Sequence, residues 1–100
     1  MFVNVGCFRF RPMSGEEWQG LQEGIEREFA PLPQRNPAFH GVYLTRPSDD
    51  ELMLVWFWDS QADLVAAQPG FQPFLQEHVA PKLAQAPERT GGEVFAQITR

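Results

Sequence analysis

The run that most constrains the fold is residues 52–58, where every position carries a large aliphatic or aromatic side chain. A run of this length between polar turns is typical of a strand, and a strand that is apolar at each position needs cover on both faces. Residues 47–50 form a turn of proline, serine and two aspartates before it. Residues 40–46 precede this turn, so we expect an antiparallel hairpin.

Two more strands are predicted near the ends of the chain. Residues 2–11 follow a two-residue alternation, and Pro12 ends the strand because it removes a backbone donor. Residues 87–92 contain a proline and two glycines and are predicted to be a loop. Residues 93–99 alternate again and are predicted to form the last strand.

The first helix is predicted to begin after Ser14. Ser14 and Glu17 have the spacing of a capping box, and apolar residues then recur at helical spacing up to Phe29. Three prolines follow, and we expect them to stop the helix and form an extended connection. These are Pro31, Pro33 and Pro37.

The second helical region is predicted to begin at Ser60, which has Asp63 three residues on. The pair Pro69 and Gly70 is expected to break this helix, because proline lacks a backbone N–H and glycine is flexible. A second helical segment then carries an apolar stripe over residues 71–83.

The order of these elements is β-α-β-β-α-β, which predicts an α+β chain of the ferredoxin-like type. In that arrangement a four-stranded antiparallel sheet carries the helices on one face. The length of 100 residues fits one domain over residues 1–100.

The face of the sheet away from the helices is predicted to be apolar. An apolar surface of that size is unusual on a monomer, so we expect a homodimer formed through the two sheet faces by a twofold interface. The residues assigned to this face by strand alternation are Val3, Val5, Cys7, Val42, Leu44, Met53, Val55, Phe57 and Phe95.

Charge and cysteine content exclude several classes of function. The formal net charge is −5 and the eight lysines and arginines are scattered, so nucleic acid is not expected as a partner. The single cysteine, Cys7, excludes a disulfide within the chain and favours a reducing compartment. No apolar stretch approaches the roughly 20 residues that span a bilayer. We therefore expect a cytoplasmic protein with no membrane partner.

Four stretches of the chain together form a familiar pattern, namely Phe39-His40-Gly41-Val42-Tyr43-Leu44, Leu54-Val55-Trp56-Phe57-Trp58-Asp59-Ser60, Pro69-Gly70-Phe71-Gln72-Pro73-Phe74-Leu75 and Val79-Ala80-Pro81-Lys82-Leu83. In their order and spacing they resemble the antibiotic-biosynthesis-monooxygenase-like family over nearly the whole chain. This resemblance implies a dimeric α/β barrel with a pocket between the helices and the sheet of each subunit. Some members of that family oxygenate polycyclic phenols without metal or flavin, and others degrade haem.

Two residues are candidates for chemistry. His78 lies on the apolar stripe of the second helical segment, so it is expected to point toward the sheet, either as a base or as a buried structural histidine. Asn4 shares a strand face with Phe2 and Phe8, where its amide could stabilise a substrate oxyanion or bind a neighbouring loop.

Aromatic side chains are expected to line the pocket or to fill the core. No histidine, cysteine and carboxylate spacing indicates a metal ligand set, and His40 and Cys7 are given no catalytic role. No cofactor is expected. The candidate pocket residues are Phe8, Trp18, Trp56, Trp58 and Phe74.

The haem-degrading branch of the family implies an asparagine on the first strand, a tryptophan on the second helix and a histidine further along it. Gly6 occupies the asparagine position in this alignment and Gln68 the tryptophan position, whereas His78 could occupy the histidine position. Haem degradation is therefore the third hypothesis. The first is a cofactor-independent monooxygenase acting on a small electron-rich aromatic compound or quinol, and the second is a non-catalytic dimer that binds a small molecule or is purely structural.

Overall fold

The structure is a computed structural model and describes residues 1–100. Its four strands form one antiparallel sheet in the order β2-β3-β1-β4, which confirms the predicted ferredoxin-like α+β fold. The strands are β1 (Phe2–Arg9), β2 (Phe39–Thr45), β3 (Glu51–Trp58) and β4 (Glu88–Glu93).

Two long helical regions cover one face of the sheet. Each begins as an α-helix and continues as a π-helix, in which the backbone is wider by about one residue per turn. No helix is both long and apolar enough to cross a membrane. The segments are α1 (Gly15–Gly24) with a π segment at Ile25–Phe29, the short α2 (Pro31–Gln34), and α3 (Gln61–Phe74) with a π segment at Leu75–Val79 and a 3₁₀ turn at Ala80–Lys82.

Polar caps fix where the two helical regions begin. Ser14 Oγ accepts a hydrogen bond from the Glu17 N–H, and the Glu17 carboxylate accepts one from the Ser14 N–H, each over 3.1 Å. Ser60 Oγ accepts from the Asp63 N–H over 3.1 Å at the start of α3. Both starts agree with the sequence prediction, since each hydroxyl satisfies a helix N–H that has no partner within the helix.

The hydrophobic core lies between the helices and the sheet. Alternate residues of β1 and β3 point into it, including Phe8, Leu52, Leu54, Trp56 and Trp58. The helices contribute further buried groups, so 15 apolar residues form one continuous cluster. This burial is the main source of stability, because removing apolar surface from water is worth about 25 cal/mol per Å².

The last strand differs from the prediction. β4 spans Glu88–Glu93, the segment predicted as a loop, whereas residues 94–100 form no strand. The reason lies at Gly91, where a Cβ atom would come within 2.9 Å of the Val3 carbonyl oxygen. Glycine is therefore used here for close strand contact rather than for a turn.

The proline-rich segments are helical where breaks were expected. Pro31 begins α2, a position where its missing N–H has no intrahelical partner to lose. α3 continues through Pro69 and Pro73, which are exposed, while Phe71 and Phe74 are buried beneath them. Burial of the two aromatic rings offsets the hydrogen bonds that the prolines remove.

The outer face of the sheet also differs in part from the prediction. Val42 pairs with Trp56 and Leu44 with Leu54, so both lie on the helix side and pack against the core. A register shift between Phe39 and Gly41 reverses the alternation of β2. Phe95 lies outside the sheet and is almost fully exposed. We define the outer face by its apolar residues, which are Val3, Val5, Tyr43, Met53, Val55 and Phe57.

Candidate functional site

A cleft with aromatic walls lies between α3 and the edge of the sheet formed by β1 and β4. Its volume is about 110 Å³, and a second cavity of about 270 Å³ adjoins it along the helix. The two cavities share Phe8, Gln72, Leu75 and Arg89. We call the smaller one the Arg89 cleft; its lining residues are Phe8, Phe29, Leu54, Trp56, Gln68, Phe71, Gln72, Leu75 and Arg89.

Arg89 is the one charged residue of this cleft. Its Cζ atom lies 5.5 Å from the centroid of the Phe8 ring, and it forms neither an ion pair with a carboxylate nor a side-chain hydrogen bond. Burial lowers the pKa of the Arg89 guanidinium, because desolvation disfavours its charged form. Arg89 as a whole is exposed, so this desolvation is partial. Arg89 is thus a partly desolvated cation that no carboxylate of the chain pairs with.

Gly6 leaves the room in which Phe8 and Arg89 meet. It pairs with Arg89 across β1 and β4, and a Cβ atom at Gly6 would lie 3.2 Å from Phe8 Cε2 and 3.8 Å from Arg89 Nη1. An alanine at this position would therefore crowd the Phe8 ring while only touching the Arg89 guanidinium.

Asn4 does not line the Arg89 cleft, but it binds Trp56, which does. Trp56 Nε1 donates a hydrogen bond to Asn4 Oδ1 over 3.1 Å, and Asn4 Nδ2 donates to the Thr90 carbonyl oxygen over 3.2 Å. The amide thus joins β3, β1 and β4 and fixes the orientation of the Trp56 indole. Asn4 is absent from the lining of the Arg89 cleft and of its neighbour.

The predicted aromatic residues divide between wall and core. Phe8 and Trp56 line the Arg89 cleft. Trp58 is completely buried and lines none of the larger cavities, and its Nε1 has no hydrogen-bond partner. Phe74 lines a separate apolar space of about 20 Å³ near the middle of the sheet. The structure therefore brings two of these residues together at the cleft.

Trp18 belongs to a second groove, at the opposite edge of the sheet. This α1 groove has a volume of about 380 Å³. Arg46 Cζ lies 4.2 Å from the centroid of the Trp18 ring, and Trp18 Nε1 donates to the Asp49 carbonyl oxygen. The groove is lined by Trp18, Leu21, Gln22, Ile25, Glu26, Leu44, Thr45, Arg46 and Leu52.

His78 lies between the two helical regions and away from the sheet. Its Nε2 is 2.9 Å from Glu28 Oε2, and its ring centroid is 4.8 Å from that of Phe74. The side chain is about one-third exposed and lines neither the cleft nor the groove. The side chain does not point toward the sheet as expected but toward Glu28 in the π segment Ile25–Phe29 of the first helical region.

No group of three or more histidine, cysteine, aspartate or glutamate side chains is arranged to hold a metal ion. His40 Nε2 contacts Asp59 Oδ1 over 2.5 Å, but both side chains are about half exposed and neither lines the Arg89 cleft. Cys7 is exposed on β1. These three residues form no cluster with the Arg89 cleft.

Three polar cleft residues were not among the predicted pocket residues, namely Arg89, Gln72 and Gln68, the last of which was considered only as the counterpart of a tryptophan in the haem-degrading branch. Arg89 was placed in a loop, where its side chain had no defined direction. Its position on β4 opposite Gly6 is what directs it under α3. Gln68 and Gln72 are four residues apart on α3, which places them on one helical face; the expected break at Pro69 hid that spacing.

Neither a protein-family model nor a curated protein sequence matches this chain. Several solved structures are similar to it. A monooxygenase of Streptomyces coelicolor from the gene ActVA-Orf6, solved with nanaomycin D, has a TM-score of 0.77 and 16% identity, over 99% of this chain and 91% of its own.

Two other solved structures are similar. A mutant of MhuD, solved with two manganese protoporphyrin IX molecules per active site, has a TM-score of 0.74 and 19% identity, over 100% of both chains. A dimeric ferredoxin-like protein from an uncultured marine organism has a TM-score of 0.72 and 16% identity, over 99% of this chain and 98% of its own. At these identities the likeness establishes the fold, and the chain has the fold of the antibiotic-biosynthesis-monooxygenase-like proteins.

Proposed function

We propose that the chain is a cofactor-independent monooxygenase whose substrate is a small electron-rich phenol or quinol. The observation that carries this proposal is the unpaired guanidinium of Arg89 in a cleft with aromatic walls. A phenolate oxygen would receive charge-assisted hydrogen bonds from Arg89, while its ring would lie against Phe8 and Trp56. The Streptomyces coelicolor monooxygenase, which has the same fold, supports this assignment.

Ionisation is the step that the cleft would promote. A positive charge beside the substrate oxygen lowers the pKa of the phenol, and the phenolate is electron-rich enough to reduce dioxygen directly. One oxygen atom forms a bond to the ring carbon and the other leaves as water. The ring loses its C–H and O–H hydrogens and becomes a quinone, so one phenol and one dioxygen give one quinone and one water.

The named candidates take different parts in this scheme. Asn4 acts as a positioning residue through its hydrogen bond with Trp56. His78 is assigned no proton transfer, because it is paired with Glu28 outside the cleft. The phenolic proton passes to solvent water at the open mouth of the cleft.

A second candidate function is the binding of a phenolate without turnover. No histidine, aspartate or glutamate lines the Arg89 cleft, so the protein contributes no base there. A module that binds a phenolate without turnover fits this lining as well. Protein-dependent oxygen uptake separates the two functions, since both require binding and only the enzyme accelerates the reaction of the phenol with dioxygen beyond its spontaneous oxidation in air.

The residues present do not fit a haem. The Arg89 cleft holds about 110 Å³ and the space at Phe74 about 20 Å³, whereas ligand pockets for molecules of drug size hold roughly 300–1,000 Å³. The α1 groove reaches about 380 Å³, but no histidine, cysteine or tyrosine that could bind a haem iron lines it. The one histidine near these spaces, His78, has its Nε2 engaged with Glu28. We therefore assign no step to a haem.

Arg89→Gln should weaken phenolate binding by about 1.5–3 kcal/mol, roughly ten- to a hundredfold, because it removes a charged hydrogen-bond donor. Binding of the neutral analogue toluene should change little. Isothermal titration with 4-nitrophenol at alkaline pH measures the first, and oxygen uptake with hydroquinone measures turnover.

Arg46→Gln is the matched control, since Arg46 also lies against an aromatic ring but in the α1 groove. It should leave phenolate binding within about twofold of the wild type. Equal losses in both variants, or equal affinity of the wild type for toluene and phenolate, would contradict the proposal.

We also propose that the chain forms a homodimer through the outer face. This face carries Val55 and Phe57, which are only partly covered, and Tyr43, whose exposure of 70% is high for an aromatic residue. Covering it would remove an apolar patch from water. A dimeric protein of the same fold supports the proposal.

Val55→Asp should convert this dimer to a monomer, because an unpaired carboxylate in an apolar interface costs several kcal/mol. Sedimentation equilibrium should give twice the chain mass for the wild type and the chain mass for the variant. Val65→Asp, on the exposed side of α3, should remain dimeric. A monomeric wild type at micromolar concentration would refute the interface.

A further inference from the structure

A narrow apolar space lies between the Arg89 cleft and the α1 groove. This neck holds about 20 Å³, and all nine of its lining residues are apolar. It shares Phe8, Phe29, Leu54 and Leu75 with the cleft. It also shares a further set with the groove, namely Ile25, Leu44 and Leu52. The three spaces therefore follow one another across the helix side of the sheet, from β4 to β2.

The helical walls of the neck are the two π segments. Ile25 and Phe29 come from the first segment, and Leu75 and Val79 from the second. π-helical turns are rare and are frequent at functional sites, because they displace side chains from the regular helical positions. Here both displacements occur where the helices border the neck. The pair of His78 and Glu28 links the two segments.

The sizes of the three spaces select the shape of a ligand. An apolar cavity of about 150 Å³ binds benzene, so the 110 Å³ cleft has room for at most one six-membered ring and excludes a fused ring system. The neck is too narrow for a ring but has the apolar lining that a hydrocarbon chain requires. The groove beyond offers about 380 Å³ over an apolar floor that includes Leu21 and Leu52.

We propose that the ligand is a single-ring phenol or quinol that carries a linear or isoprenoid hydrocarbon chain. The ring of the ligand occupies the Arg89 cleft. Its hydrocarbon tail passes through the neck between Ile25 and Leu75, and the end of the tail lies in the α1 groove. This inference rests on the proposed function, which places the phenolate at Arg89. The bound ligand would span three interstrand spacings, about 14 Å, from β4 to β2.

The experiment is an isothermal titration series with 4-alkylphenols from methyl to octyl. Each methylene group that enters the apolar spaces should raise the affinity of the wild type about fourfold. Ile25→Trp places a large ring at the junction of neck and groove and should abolish this dependence, while phenol itself still binds. Leu44→Phe tests the same junction from β2, should Ile25→Trp fail to fold.

Val65→Trp is the control, because it adds the same indole on the exposed side of α3 and should keep the wild-type dependence. A direct readout needs no blocking variant. A phenol whose chain ends in bromine should quench the fluorescence of Trp18 in the groove, and Trp18→Phe should remove that part of the quenching.

The outcomes separate the inference from the proposed function. If phenol binds and depends on Arg89 but chain length has no effect, the inference is wrong and the proposed function stands. The inference is also wrong if the affinity still depends on alkyl chain length in both Ile25→Trp and Leu44→Phe. It is equally wrong if the brominated phenol does not quench the fluorescence of Trp18. If no phenol binds at all, the proposed function fails as well.

Discussion

Replacing Trp58 with alanine should lower the free energy of unfolding by about 3–5 kcal/mol. Trp58 is completely buried, and its ring lies 5.3 Å from that of Phe39 and 5.5 Å from that of Trp56, measured between centroids. Its removal leaves a cavity where β2, β3 and α3 meet, since Phe71 also contacts it. Urea denaturation followed by circular dichroism measures the loss.

Trp58→Phe should cost clearly less than the alanine variant. It keeps an aromatic ring in place and removes Nε1, a buried donor that has no acceptor. Val65→Ala, at an exposed position of α3, serves as control and should stay within about 0.5 kcal/mol of the wild type. A loss below about 1 kcal/mol for Trp58→Ala would show that this tryptophan is not the centre of the core.

Gly91→Ala is expected to destabilise the fold by about 1–3 kcal/mol, as overpacking of a tight site does. A Cβ atom at Gly91 would lie 2.7 Å from Phe2 Cζ and 2.9 Å from the Val3 carbonyl oxygen. The phenyl ring can move, but the carbonyl belongs to the β1 backbone. The strand must therefore shift, and the Asn4 amide, 3.2 Å from the same Cβ position, would shift with it.

Gly92→Ala provides the matched control, because no atom lies within 4 Å of a Cβ added there. Thermal unfolding of the two variants should show a clear fall in midpoint for Gly91→Ala alone. Similar midpoints would contradict the close approach of β1 and β4 on which the position of Arg89 depends.

The sequence was sufficient for the order of elements, since capping residues and apolar runs are local signals. Ser14 and Ser60 satisfy backbone donors of their own helices, so both starts were predictable without knowledge of the fold. The buried face of β3 followed from strand alternation, which holds because the extra residue of the irregularity lies in β2 and the pairing of β3 with β1 is regular.

Errors arose where packing outweighs local preference. Gly91 lies in a strand because two backbones approach closely, and no local signal distinguishes this from a turn. The register shift at His40 reversed β2, although the spacing of Phe39 and Val42 was a signal, since both can face the core only if one residue is extra.

The candidate site was less predictable than the fold, because it joins residues distant in sequence. Phe8 and Trp56 were recognised as wall residues, but Arg89 was assigned to a loop. His78 was recognised by its chemistry and expected to point toward the sheet, whereas its side chain points toward Glu28 of the other helical region. Its partner Glu28 lies 50 residues away in another helical region, and no spacing rule connects the two.

The most direct test of the Arg89 cleft is the pKa of a phenol bound in it. An absorbance titration of bound 4-nitrophenol reports this value, because the ionised form absorbs at longer wavelength. The Arg89 guanidinium should lower the pKa of the bound phenol below the pKa of free 4-nitrophenol. In Arg89→Gln the pKa of the bound phenol should lie above that of free 4-nitrophenol, since the apolar walls disfavour the anion. A wild-type value at or above that of free 4-nitrophenol would contradict a cleft built to hold a phenolate.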